Sequence, residues 1–134
     1  MSHSICVVIS GCGFLDGAEV HESVLTLLSF SKRAVSVTVA APFTPQMRVV
    51  NHHTGEVASG SVRMVHEEAA RIARGPVVNI ADVNVDDFDG LFFPGTARIK
   101  NMNHGVKVFR PQLMNLIWLK RRARTSAKVQ DFHF

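Results

Sequence analysis

The sequence predicts an α/β domain built on a parallel sheet, and three observations carry that prediction. Ile5 to Ile9 is a continuous apolar run rich in β-branched residues, so Ile5 to Ser10 reads as a strand buried on both faces. It runs into a glycine-rich turn, Ser10-Gly11-Cys12-Gly13, and then into an amphipathic helix pattern. Val35 to Ala41 is a second strand-like run, ended by Pro42. A strand, a helix and a strand in this order make a right-handed βαβ unit.

Each element has a local reason. Asp16 and Glu19 have capping-box spacing, with Asp16 placed to bond the free amides of the first helical turn. Val20, Val24, Leu27 and Leu28 then fall on one helical face. Met47 to Val57 reads as a small hairpin around a His-His-Thr-Gly turn, with Gly55 supplying the positive φ. Ser61 caps a second helix with Val62, Val65, Ala69, Ile72 and Ala73 on its buried face. Arg71 and Arg74 suit its negative end, and Gly75-Pro76 stop it. Val77 to Ile80 is a short strand, Asp82 to Asp89 an acidic connection, and Gly90 to Gly95 a strand entering a tight turn. Thr96 to Gly105 shows no clear period. Pro111 opens a helix carrying Leu113, Leu116 and Ile117, and no element is expected from Thr125 to Phe134.

With 134 residues, 46% of them hydrophobic, the chain is one domain at most and large enough for a core. No apolar run has the length of a membrane span, and Met1 to Ser4 lacks the character of a signal peptide. Cys6 and Cys12 are too close along one strand and turn to be a disulfide framework, so a cytoplasmic, reducing location is expected. The net charge of +4 hides a split. Up to Gly95 there are six Lys or Arg against ten Asp or Glu, and from Thr96 onward nine against one. The basic character therefore belongs to the C-terminal segment and does not mark the whole chain as a nucleic-acid binder.

Four segments carry a resemblance: Ser-Gly-Cys-Gly at 10–13, Asp-Gly-Ala-Glu-Val-His-Glu at 16–22, Asn-His-His-Thr-Gly-Glu at 51–56 and Glu-Ala-Ala-Arg-Ile-Ala-Arg-Gly at 68–75. From about Ile5 to Gly95 the chain resembles the ElbB-type glyoxalases, class I glutamine-amidotransferase-like proteins of the ThiJ/PfpI superfamily. The resemblance implies a flavodoxin-like three-layer sandwich. It divides the chain into residues 1–95, the N-terminal part of such a domain, and residues 96–134, a divergent basic tail where the rest of the sheet is missing or replaced. It implies that Glu22 is the carboxylate beside the nucleophilic thiol, and that Gly95 begins a Pro-Gly-Gly turn whose amides face an oxyanion. Gly11 and Cys12 would lie beside that site. Here the chain departs from the pattern: it reads Pro94-Gly95-Thr96-Ala97-Arg98-Ile99-Lys100-Asn101, so Thr96 stands at the second glycine, and no cysteine follows Cys12 to act at the elbow. Thr does not adopt positive φ cheaply, which weighs against an oxyanion turn at Thr96.

Each feature also has a plainer reading. A Glu one turn into a helix is ordinarily a favourable dipole partner. Cys12 occupies a turn where a thiol pKa can fall, yet the resemblance sets it beside the site and not at the elbow. Cys6 is a core strand residue. His21 and the His52-His53 pair lack acidic or cysteine partners, which points to turn and surface roles and to no metal. Glu67, Glu68 and Arg71 read as a solvated helix face. Lys120 to Arg124 has the charge to meet nucleic acid or an anionic surface. Because the charge flips where the family pattern ends, a tail without evolved function, from a shifted frame or alternative splice, is favoured.

The functional expectation is a cofactor-independent glyoxalase that hydrates small glyoxal-type dicarbonyls to hydroxy acids, with this chain inactive alone for want of its nucleophile. The alternative expectation is a non-catalytic interaction protein. It would use an apolar sheet edge beside Leu91 to Phe93, left open for a homo-oligomer or a partner, together with the basic tail.

Overall fold

The computed structural model describes residues 3–95 and the strand 117–119. Five strands form the main sheet: β1 (His3–Val8), β2 (Val35–Ala41), β5 (Val78–Asn79), β6 (Gly90–Phe92) and β7 (Ile117–Leu119), in the order β5-β2-β1-β6-β7. The first four are parallel, with Ile5 opposite Val37 on one side and Gly90 on the other. β3 (Val50–Asn51) and β4 (Glu56–Val57) form a separate antiparallel hairpin, as the His-His-Thr-Gly turn predicts. Gly55 has the positive φ of 77° that the turn requires.

β1 is the centre of the core because its side chains alternate between two buried faces. Ile5, Val7 and Ile9 point to one face, where they meet Val65, Ala69 and Ile72 of helix α2 (Val65–Ala73) and Leu27 and Phe30 of helix α1 (Val20–Ser31). Cys6 and Val8 point to the other, where Ile80, Val83, Phe88, Leu91 and Phe93 pack against them. The acidic connection covers this second face through two short 3-10 turns, Ile80–Asp82 and Val85–Asp87. Among the described residues no helix lies there. Phe30 seats α1 over the sheet by meeting Phe92 edge to face, ring centroids 4.7 Å apart.

Five local expectations are corrected. α1 is capped by Glu19, whose carboxylate accepts from the Glu22 amide; Asp16 is buried and bonds elsewhere. The face α1 turns inward is Ser23, Leu27 and Phe30, while Val24 and Leu28 are exposed. The apolar residues of α1 surround more of the helix than one stripe, so period alone could not choose among them. α2 begins at Val65 with no side-chain cap, and Ser61 and the exposed Val62 lie before it. Glu68 is not on a solvated face: it is buried, 3.5 Å from Arg63 and 3.2 Å from Arg71. The helix stops on Arg74 in the left-handed conformation (φ 54°), one residue before the Gly75-Pro76 breaker.

The edge expected to be open beside Leu91–Phe93 is paired. β7 lies antiparallel to β6, with Leu91 opposite Trp118 and Phe92 opposite Ile117. Ile117 is therefore in a strand and not in the helix expected after Pro111; the other residues of that expected helix lie outside the described residues. An unpaired row of strand amides and carbonyls is unfavourable, and the antiparallel β7 supplies partners for that of β6.

Candidate functional site

Where β1 ends, the chain folds into a closed turn. The Ala18 amide donates to the Ser10 carbonyl (2.9 Å), Gly13 to Ala18 (3.0 Å) and Val20 to Gly13 (3.1 Å). This close return requires glycine at position 17, where an added Cβ would come within 2.7 Å of the Cys12 nitrogen and 3.0 Å of the Gly11 carbonyl carbon. Gly11 adopts φ +82°, and its missing Cβ leaves room for the Gln46 side chain.

Four residues from the segment around β3 hold this turn. Gln46 Nε2 donates to the Asp16 carbonyl (2.8 Å), and Arg48 donates to the Leu15 carbonyl (2.9 Å). The Val50 amide donates to Asp16 Oδ2 (2.7 Å). His52 Nε2 accepts from the amides of Phe14 (3.1 Å) and Leu15 (3.3 Å) and lies 3.5 Å from Asp16 Oδ1. A buried carboxylate is stable here because it receives a backbone donor in place of water. Neither Asp16 nor His52 was expected in this role. Their partners lie more than thirty residues away in sequence, so no local pattern announces them.

The turn delivers the N-terminus of α1. Glu19 Oε2 accepts from the Glu22 amide (2.6 Å) and Glu19 Oε1 lies 2.9 Å from His21 Nδ1. The Glu22 amide first, and His21 second, hold the Glu19 carboxyl below its ordinary range. One turn further, Glu22 is exposed and its Oε2 accepts from the Gly95 amide at 2.8 Å. Gly95 arrives from the end of β6 with φ +70° and rests on the backbone of Ala18 and Glu19, so closely that a Cβ would collide with the Glu19 nitrogen. Glu22 and Gly95 are thus brought together from 73 positions apart. Thr96 lies outside the described residues.

Gly11 and Cys12 open the same turn, but Cys12 packs against the core cluster that contains Val65 and Ala69 of α2. Burial chiefly, then Glu68, raises its thiol pKa; Arg71 and Arg63 oppose this and Asp16 adds to it. Cys6 is fully buried, and burial pushes its thiol up to about 11. Both cysteines are free thiols. Among the described residues no cluster of three or more His, Cys, Asp or Glu could hold a metal ion.

The chain is similar to known proteins over about two thirds of its length. The human glutamine amidotransferase-like class 1 domain-containing protein 3, mitochondrial, is 40% identical over 91 residues, 68% of this chain and 34% of the relative. Over about two thirds of its length, the chain matches the glutamine amidotransferase-like proteins of the ThiJ/PfpI superfamily. The rat ES1 protein homolog, mitochondrial, is 41% identical over 91 residues, covering 68% of this chain and 34% of that protein. The ES1 protein, mitochondrial, of Danio rerio is 32% identical over 105 residues, 75% of this chain and 39% of that protein. A crystal structure of an isoprenoid biosynthesis protein with an amidotransferase-like domain from Ehrlichia chaffeensis superposes with a TM-score of 0.67 at 39% identity, covering 70% of this chain and 44% of that one. No family model matches. The chain therefore spans about a third of the length of the curated relatives it matches.

The amidotransferase-like, flavodoxin-like architecture stands. The cytoplasmic location does not: the human and rat relatives are named mitochondrial. Free cysteines speak for a reducing compartment and do not say which one, so the inference from cysteine usage reached further than its physics. No helix among the described residues is long and apolar enough to cross a membrane.

Proposed function

We propose that these 134 residues carry the carboxylate-and-amide half of a glyoxalase-type site, with Glu22 as proton shuttle and the Gly95 amide as oxyanion donor. The observation that supports this reading is the 2.8 Å contact between Glu22 Oε2 and the Gly95 amide, which sets a base and a hydrogen-bond donor side by side. In the proposed chemistry a thiolate adds to one carbonyl carbon of a glyoxal-type dicarbonyl, giving a hemithioacetal. Glu22 takes the proton from that carbon and returns it to the neighbouring one, leaving a thioester. Water cleaves the thioester to the hydroxy acid and frees the thiol, so the net change is addition of one water. No cofactor enters the scheme.

The thiol is the part these residues do not supply. Cys6 is buried with its pKa near 11, and Cys12 is raised above its ordinary value, so neither is a ready thiolate at neutral pH. The chain by itself is accordingly expected to leave glyoxal unconverted. Hydroxy-acid formation is measured for the chain and for Glu22→Gln, with and without an added small-molecule thiol. The expected outcome is no turnover without thiol, and a thiol-dependent rate that falls at least 10-fold in Glu22→Gln, within the range general acid–base groups contribute. Equal rates for the two proteins in the presence of thiol would remove Glu22 from the chemistry.

A further inference from the structure

His52 is a residue whose chemistry the proposed reaction leaves unused and whose ring is bonded at both nitrogens. Its Nδ1 lies 3.0 Å from the Val50 carbonyl, which can only accept, so Nδ1 carries the hydrogen. Its Nε2 meets the amides of Phe14 and Leu15, which can only donate, so Nε2 presents a lone pair. Both demands are met by a single species, the neutral imidazole protonated at Nδ1. The ring also packs on the turn directly: a Cβ on Gly13 would meet His52 Cε1 and Nε2 at 3.1 Å.

The turn that His52 holds is continuous with the site. Phe14 and Leu15 lead through Asp16 to Ala18 and Glu19, and the backbone of Ala18 and Glu19 is the surface on which Gly95 rests. Glu19 in turn caps the helix that presents Glu22. We propose that His52 is a positioning residue for the Glu22–Gly95 pair, acting through its unprotonated Nε2, and that protonation of this nitrogen releases the turn and loosens the pair. This rests on the reading that Glu22 and Gly95 form the working part of the site.

The charges that face the ring define what protonation does. Asp16 Oδ1, from the turn, lies 3.5 Å from Nε2, and Arg48, from the segment before β3, is bonded to the Leu15 carbonyl. His53 and Glu56 on its own hairpin are exposed. A protonated Nε2 becomes a donor. It repels the two amides and turns to Asp16, the carboxylate within reach, so two bonds to the turn are exchanged for one ion pair on a shifted ring.

The test is amide and imidazole nitrogen NMR on the full chain across the range in which histidines titrate, for the unaltered protein, His52→Gln and His52→Phe. Gln offers an acceptor oxygen near the position of Nε2 and does not titrate; Phe keeps the ring and removes the acceptor. In the unaltered protein the signals of Phe14, Leu15 and Gly95 are expected to shift together, with the midpoint of the His52 ring nitrogens. In His52→Gln that midpoint disappears and the neutral-pH positions are retained. In His52→Phe the Phe14 and Leu15 amides lose exchange protection at neutral pH. The proposal is overturned if Phe14 and Leu15 ignore the protonation of His52, or if Gly95 keeps the same midpoint in His52→Gln. Equal thiol-dependent rates for the unaltered chain and Glu22→Gln, which would defeat the glyoxalase-type reading, leave these signals untouched, so the two failures are distinguishable.

Discussion

Gly95→Ala is the substitution that most directly tests whether the turn after β6 is built against the start of α1. Two separate penalties follow from the structure. The residue sits at φ +70°, and a side chain in the left-handed region costs roughly 1–2 kcal/mol. The added Cβ would also collide with the Glu19 nitrogen and come within 3.1 Å of the Ala18 carbonyl carbon and Glu19 Cα, all of them backbone and none able to swing aside. The turn must lift away, which breaks the 2.8 Å bond to Glu22. A charge-assisted bond at an exposed position is worth about 1 kcal/mol, below the range for buried ones. The sum is about 2–3 kcal/mol, or roughly 10 °C in Tm for a domain of this size. The structure supplies its own control. Gly55 and Gly60 have φ +77° and +79° with nothing within 4 Å of the added Cβ, so Gly55→Ala and Gly60→Ala carry the backbone penalty alone. Urea unfolding of the three variants is the assay. Gly95→Ala is expected to lose about 1 kcal/mol more than either control, and Glu22→Ala made on top of Gly95→Ala is expected to lose almost nothing further. An equal loss in all three, or full additivity with Glu22→Ala, would refute the contact.

Two further outcomes are expected. Asp16→Ala removes the acceptor of the buried Val50 amide and leaves that donor unpaired, a loss of about 3 kcal/mol in urea unfolding; Asp16→Asn, which keeps one oxygen, loses less than half of that. Glu19 has a carboxyl held below its ordinary range in the folded state, so its contribution to stability is present at neutral pH and is lost as pH falls through the folded value. Thermal unfolding followed from pH 7 downward is therefore expected to fall less steeply in Glu19→Gln than in the unaltered protein, with the difference confined to the acid limb.

What the sequence reveals and what it hides divide along the range of the interactions. The βαβ unit is legible because β1 alternates two buried faces over consecutive residues, and a buried strand leaves that signature in any six-residue window. The resemblance, which compares whole segments, singled out Glu22 and Gly95 separately, and the bond between them, 73 positions apart, is not legible in the sequence. Asp16 was misread because Asp is a good cap by local rules, and here the Val50 amide, 34 positions away, takes its carboxylate instead. The cap passes to Glu19, three residues before the amide it accepts from. In α1 the inward stripe is Ser23, Leu27 and Phe30, with a serine whose hydroxyl donates to the Glu19 carbonyl at 2.7 Å. A polar residue that satisfies its own hydrogen bond can be buried, and hydrophobic periodicity does not count it. Glu68 is the same lesson with charge: Arg63 and Arg71 neutralise it, and the arginine before the helix is outside any helical pattern.

The resting contact between Glu22 and Gly95 carries a consequence for the proposed chemistry. An amide N–H aimed at a carboxylate oxygen is already satisfied by a negative charge, so it is not free for a second anion at the same time. In the proposed chemistry, a proton accepted by Glu22 would remove its negative charge and weaken its hold on the amide. The charge would then appear on the substrate oxygen, and the Gly95 amide would exchange one acceptor for the other without moving. On this proposal Glu22 holds the donor in place as a stand-in anion until the reaction makes the real one, so that little reorganisation would accompany proton transfer. The arrangement needs the amide to stay where it is while its partner changes. The left-handed Gly95 seated on the Ala18–Glu19 backbone meets that need, because the atoms it rests on belong to a turn tied down by Gln46, Arg48, Asp16 and His52 and not to any group that moves in the reaction.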